Sequence, residues 1–303
     1  MIIPRSPQPD IEVAIRAATA YLASHDLDYG HGTLEALDDA SWLVLEAAGL
    51  SPLTAIQPAQ LASLLNNAEL DQIDEWLEKR AVQRVPAAYI VGRTWFAGLE
   101  IKVDERVLIP RSPFAEFVLE DCFGLVDIAS VERVLDLCTG SGCIALAAAM
   151  AFPHARVDGS DISAGALSLA EENVQHHQLG QRVRLVESDL FSALDSEYDL
   201  ILTNPPYVDR VDMKSMPAEF SHEPELGLAA GEDGLDIVEK ILMQCPAYLK
   251  PGGALVCEVG NSAEALQQRF SGWPFSWLEF EQGGSGIFFI EREDIVACAE
   301  GCS

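Results

Sequence analysis

The chain has 303 residues, 49% of them hydrophobic, enough to bury one large core or a large and a small one. Its formal net charge of −29 at pH 7 repels a polyanion, and its 19 lysines and arginines are spread along the chain, which argues against tight binding to naked nucleic acid and favours a basic protein partner. The longest apolar stretch, Ile144 to Phe152, is too short to span a bilayer and the start Met-Ile-Ile-Pro-Arg has no signal-peptide layout, so a cytoplasmic protein with no membrane partner is expected.

Residues from about Ile11 to Val85 read as helices. Ile11 to Leu22, Leu34 to Ala48 and Gln60 to Val82 carry apolar positions at helical spacing, punctuated by Pro52, Pro58 and Pro86. Tyr29-Gly30-His31-Gly32-Thr33 forms a tight turn between the first two. From Thr94 the pattern changes to period two, and Trp95 to Val103 with Arg106 to Ile109 predicts a β-hairpin. Pro110 ends it, Ser112 can cap, and Pro113 suits the first position of a helix toward Leu119. The change of character places a domain boundary near residue 93, with a helical substrate-recognition domain over 1–93 and a hairpin linker and catalytic domain over 94–303.

From Arg133 onward short apolar strands alternate with helical segments: Val134 to Cys138, Arg156 to Ser160, Val183 to Glu187, Tyr198 to Thr203 and Ala254 to Val259. That alternation predicts a doubly wound α/β sheet. Phe275 to Phe280 and Ile287 to Ile290, around Gly283-Gly284-Ser285-Gly286, fit a closing antiparallel pair. Seven cysteines without a Cys-x-x-Cys, with Cys138, Cys143, Cys245 and Cys257 in or beside apolar segments, read as reduced core residues; no metal or disulfide is expected.

The first of these strands runs into Asp136-Leu137-Cys138-Thr139-Gly140-Ser141-Gly142, a glycine loop that lets a ligand approach the backbone. A nicotinamide fold would prefer a third glycine where Ala145 stands, and Asp136 would repel a pyrophosphate. The same acid can meet the cationic amine of S-adenosylmethionine. Asp161, ending the next strand, can accept from both ribose hydroxyls, and Asp189, after the third, can accept the adenine amine, with Ile162 and Leu190 as apolar walls.

Asn204-Pro205-Pro206-Tyr207 follows the apolar run Tyr198 to Thr203, and two prolines cannot continue a sheet ladder. The Asn204 amide oxygen and the Pro205 carbonyl then stand at a carboxyl edge, where they can accept both hydrogens of a planar NH2 group while Tyr207 narrows the pocket. An amide or an arylamine satisfies this geometry. A DNA adenine methyltransferase would flip an arylamine base into such a site, but it predicts a basic cleft that this sequence lacks.

With these motifs the chain resembles class I S-adenosylmethionine-dependent methyltransferases, and within them the protein-glutamine methyltransferases. The likeness includes Leu108-Ile109-Pro110-Arg111-Ser112-Pro113, the Asp136 to Cys143 loop, Asn204 to Tyr207, His222 to Leu228, and Gly231-Glu232-Asp233-Gly234. One branch of that family acts on peptide-chain release factors and another on large-subunit ribosomal protein L-three. Tyr29 to Thr33, Val103-Asp104-Glu105-Arg106-Val107, Ser112-Pro113, and Cys138 where the other branch has glycine are similar to the ribosomal branch.

The resemblance implies a Rossmann-like, mostly parallel sheet with an antiparallel last strand, an added helical domain and hairpin, and methylation of a glutamine amide in L-three, free or within a ribosomal precursor. A release-factor enzyme and a non-catalytic ribosome assembly factor are the alternatives. The connection from Val208 to Gly231 is long, as a functional lid would be. His222 and Glu223 are candidates for touching the substrate or pinning that loop, and Arg111, grouped with them at the substrate site, for holding an acid near it or forming a plain surface pair. Proline within His222-Glu223-Pro224-Glu225 disfavours a metal role.

Overall fold

The computed structural model describes residues 1–281 and 283–301 and resolves the chain into two compact units. The first comprises residues 1–94 together with 217–222, and the second 95–216 with 223–303. No helix among the described residues is long and apolar enough to cross a membrane. The six described cysteines are free thiols; Cys302 lies outside the described residues.

The first unit packs helices Ile11–Ala23, Ala36–Ala47 and Asn67–Ala81 with two shorter ones, Pro58–Leu61 and Ala87–Val91. Ile11, Ala14, Ala18 and Leu22 recur at helical spacing and are buried, as an amphipathic helix requires. The helix expected over Gln60 to Val82 is broken in two. Asn66 caps the second piece through Oδ1, accepting from Ala68 and Glu69, while the Glu69 carboxylate accepts the Asn66 N–H in return.

The hairpin is β1 (Arg93–Phe96) and β2 (Leu99–Lys102), turned by Ala97 and Gly98, both at positive φ (49° and 77°). Such a two-residue turn matches strand twist. Arg106 to Ile109, expected as its second strand, forms none. Asp104 instead accepts the Arg106 N–H at 3.0 Å and holds its guanidinium, bending the chain into a local turn. Ser112 Oγ accepts from the Phe114 N–H at 3.1 Å, but the cap residue of the helix Phe114–Leu119 is Pro113, which stands just before the first helical position expected for it.

The second unit holds β3 (Arg133–Leu137), β4 (Arg156–Asp161), β5 (Val183–Glu187), β6 (Tyr198–Thr203), β7 (Leu249–Glu258), β8 (Ser276–Trp277) and β9 (Ile287–Glu291). Their order across the sheet is β5-β4-β3-β6-β7-β9-β8. Five strands are parallel, and β9 pairs antiparallel with both β7 and β8. Strand order reverses direction between β3 and β6, and ligands bind at the carboxyl edge of such a switch point. Leu135, Leu137, Ile201, Leu255 and Phe288 fill one core with Val238, Ile241 and Leu242 of the helix Asp236–Gln244.

Candidate active site

Register brings the two main motifs side by side. Leu137 pairs with Thr203, so the glycine loop and Asn204 leave neighbouring strand ends, and the Thr203 hydroxyl donates to the Leu137 carbonyl at 2.7 Å. Strand alternation turns Asp136 away from the Leu135 and Leu137 core, toward the helix Cys143–Ala151. One oxygen of Asp136, Oδ2, accepts from the Thr139 hydroxyl and from the Ala145 N–H at 2.8 Å. The other, Oδ1, is buried with no protein donor. Burial, only partly offset by those two hydrogen bonds, pushes the carboxyl up to about 7. A fully buried acid with one unfilled acceptor is suited to a cationic donor arriving from outside the protein.

The glycine loop is gripped from β4. Thr139 donates its N–H to the Ser160 carbonyl at 2.9 Å, and Gly140 donates to Asp161 Oδ2 at the same distance. Asp161 Oδ1 takes the Ser163 N–H, which fixes the carboxylate at the strand end, where burial raises its pKa. Ser141 is buried and its carbonyl accepts from Asn173. Gly142 precedes the helix at φ +80°, and a side chain there would lie 3.2 Å from Ala170. Ile162 is 51% exposed despite being apolar, and Leu190, at φ +47°, is half-buried beside exposed Asp189. These residues can hold S-adenosylmethionine: an acceptor for its ammonium, a second acid at the β4 end, and apolar side chains at the rim.

Cys138 occupies φ +63°, the left-handed region that favours glycine. Burial pushes its thiol well up and that of Cys143 up to about 12, so both stay protonated.

Asn204 is half-buried, Pro205 buried, and Pro206 and Tyr207 half-buried. The Tyr207 phenol donates to Glu258 Oε1 at 3.0 Å, and the same buried carboxylate accepts the Ser112 hydroxyl through Oε2. Burial raises the pKa of Glu258. The Tyr207 carbonyl accepts from Ser262 at 2.9 Å. Gly260 backs the ring so closely that a Cβ there would lie 2.5 Å from it, and a Cβ on Gly234 would collide with the Tyr207 carbonyl. Sequence reasoning missed Glu258. Its signal was the one that marked Asp136 and Asp161, an acid at the carboxyl end of an apolar strand.

Arg111 and Glu223 form a bidentate pair at 2.6 and 2.8 Å, and Glu223 also accepts the Ile109 N–H at 2.9 Å. They fasten one shoulder of the 208–231 connection, whose base is closed by Val208 N–H to Leu228 O and Ala230 N–H to Val208 O. His222 belongs to the first unit, where Nε2 lies 3.0 Å from the Gln83 carbonyl.

The sheet order, its antiparallel β9 and the ligand-accepting edge define a class I S-adenosylmethionine-dependent methyltransferase. The family model Methyltransferase small domain matches residues 124–222, and PrmC N-terminal domain matches residues 14–92. Over 284 residues, 93% of this chain and 90% of the relative, the sequence is 41% identical to the ribosomal protein uL3 glutamine methyltransferase of Francisella tularensis. Identity to the protein of the same name from Xylella fastidiosa is 44%, with the same coverage of each chain. The hMettl16 catalytic domain shares the fold, with a TM-score of 0.50 over 78% of this chain and 85% of that one at 18% identity. The chain belongs to the family of ribosomal protein uL3 glutamine methyltransferases.

Proposed function

We propose that this protein methylates the side-chain amide nitrogen of a glutamine in uL3, the large-subunit protein L-three, using S-adenosylmethionine. The observation that carries the reading is the adjacency of Asn204 to the Asp136 loop at one switch point, in a chain alike over 93% of its length to proteins named for that reaction.

S-adenosylmethionine supplies a methyl group made electrophilic by its sulfonium. Asp136 Oδ1 would accept from its ammonium, Asp161 from its ribose hydroxyls and Asp189 from its adenine amine, with Cys138, Thr139, Gly140, Ser141 and Gly142 as the loop that would hold it and Ile162 and Leu190 as the apolar walls for the base. A glutamine amide is a poor nucleophile because its lone pair is delocalised into the carbonyl. The Asn204 oxygen and the Pro205 carbonyl accept its two hydrogens, orient the nitrogen and stabilise positive charge growing there. Tyr207, held by Glu258 and backed by Gly260, walls the amide pocket, with Pro206 fixing the turn. As the nitrogen–carbon bond forms, the methyl–sulfur bond would break with its electron pair left on sulfur as a neutral thioether, and the amide proton would leave to water.

A net charge of −29 draws in a basic ribosomal protein, and such a substrate sets the reaction in ribosome biogenesis in the cytoplasm. Incubating the protein and labelled cofactor with purified uL3, with precursor particles and with a release factor, then locating the methyl by peptide mass, tests the reading. Label on a uL3 glutamine is the expected result. Label on a release-factor glutamine alone overturns it.

A further inference from the structure

Two sequence features take no part in the chemistry above: the Tyr29 to Thr33 turn and the middle of the long connection after Tyr207. The structure brings them together inside the first unit. Residues 217–222 are built into the helical unit, whereas 208–216 and 223–231 stay with the sheet.

Glu219 is fully buried there. Its Oε1 accepts the Asp28 N–H at 3.0 Å and Arg80 Nη1 at 3.1 Å, and its Oε2 accepts Arg84 Nη2 at 3.0 Å. Arg80 is 2% exposed, donates Nε to Asp39 at 2.6 Å and Nη2 to the Asp28 carbonyl, and lies 5.2 Å from the centre of the Tyr29 ring. The Phe220 ring lies 4.3 Å from the His31 ring, tilted by 51°, and a Cβ at Gly30 would come within 3.7 Å of it. Thr33 completes the turn by donating to Asp39 at 2.8 Å.

Two arginines thus balance two acids, yet Arg80, Asp39 and Glu219 all leave water while Arg84 stays partly exposed, and apolar residues of like volume often stabilise as well or better. What the ion cluster adds is a single geometry: a guanidinium with three directed acceptors fixes where Glu219 sits. Within the helical unit the tip of the connection is therefore held at Glu219; within the other unit its base is held at Val208 and its shoulder at Glu223.

We propose that the Tyr29–Thr33 turn, Arg80, Glu219 and Phe220 form a latch for the tip of the 208–231 loop, and that Glu219 and Arg80 are positioning residues for binding of the protein substrate. The argument rests on the uL3 reading, because that loop leaves the amide pocket directly after Tyr207. Release of the tip loosens the wall against which the substrate chain is held and leaves the Asp136 side of the site unchanged.

Glu219→Gln and Phe220→Ala in the full-length protein test this, the second sparing every charge. Arg210 and Lys214 on the short helix Arg210–Ser215 supply tryptic sites within the loop. In variants that remain folded by circular dichroism, cleavage after these residues should accelerate at least tenfold while cleavage at Arg16 is unchanged. KM for uL3 should rise at least tenfold, with cofactor affinity held within twofold. Unchanged loop cleavage in both variants overturns the latch; faster cleavage with unchanged KM overturns the positioning role. Wild-type protein that leaves uL3 unlabelled overturns the substrate reading, and the cleavage rates still decide the latch.

Discussion

The Tyr207 hydroxyl and the Glu258 carboxylate lie 3.0 Å apart, tying the last residue of the Asn204–Tyr207 motif to the end of β7. Removing the hydroxyl forfeits one hydrogen bond to a carboxylate, roughly 1.5–3 kcal/mol. Tyr207→Phe should lower kcat about tenfold with little change in cofactor affinity, read by steady-state kinetics and calorimetry. Gly260→Ala pushes a methyl into the ring and should lower activity further.

Asn204→Ala removes an acceptor aimed at the nitrogen that becomes charged. By analogy with deletion of a single oxyanion donor, kcat should fall about 10²–10³-fold. Cofactor binding should persist within a few-fold by calorimetry. Unchanged turnover would refute the role given to Asn204.

Asp136 titrates near pH 7 when the cofactor is absent, because burial favours its neutral form. An incoming ammonium favours the carboxylate, so below pH 7 binding must expel a proton. The dissociation constant should rise, by up to about tenfold per unit, as pH falls through 7 to 6. Between its ordinary value near 3.8 and about 7 the folded apo-protein binds the extra proton, so stability falls as pH rises through that window. Calorimetry in buffers of different ionisation enthalpy, and urea unfolding at several pH values, read the two effects. Asp136→Asn should flatten both.

Cys138→Gly frees a non-glycine residue from φ +63°. Left-handed backbone costs an L-residue about 1–2 kcal/mol, partly offset by the extra chain entropy of glycine, about 0.5–1 kcal/mol. The net expectation is a stabilisation of about 0.5 kcal/mol, seen as a small rise in Tm with cofactor binding retained. Cys138→Val should lower Tm instead.

If the charge of −29 attracts a basic substrate, screening should weaken it. KM for uL3 should rise roughly tenfold from low salt to about 0.5 M while kcat holds nearly steady. A KM independent of salt would dismiss electrostatic attraction.

The sheet was legible because its strands read as short apolar runs; Tyr198 to Thr203, a largely buried inner strand, and Val183 to Glu187, a half-exposed edge strand, coincide with the observed strands. Side-chain hydrogen bonds escape such periodicity. Asp104 bending the chain at Arg106, and Asn66 restarting a helix inside Gln60 to Val82, are both local and both missed. The Asn204 motif and the three strand-end acids were visible from position alone. Glu258 carried the same mark at β7 and went unread, because its partners Tyr207 and Ser112 lie 51 and 146 residues away. Arg80 and Glu219, 139 residues apart, left no signal beyond a charged helix and a long loop.

Biosynthesis meets that last separation directly. The helices up to Thr94 are made long before Glu219, so on the ribosome Arg80 first finds Asp39 alone, and Glu219 arrives only after β3, β4, β5 and β6 have been synthesised. A chain stopped at Thr94 would hold two arginines, Arg80 and Arg84, at a place built for two acids and containing one. The amino-terminal helices are therefore translated first, but their ion cluster is complete only once Glu219 has been made.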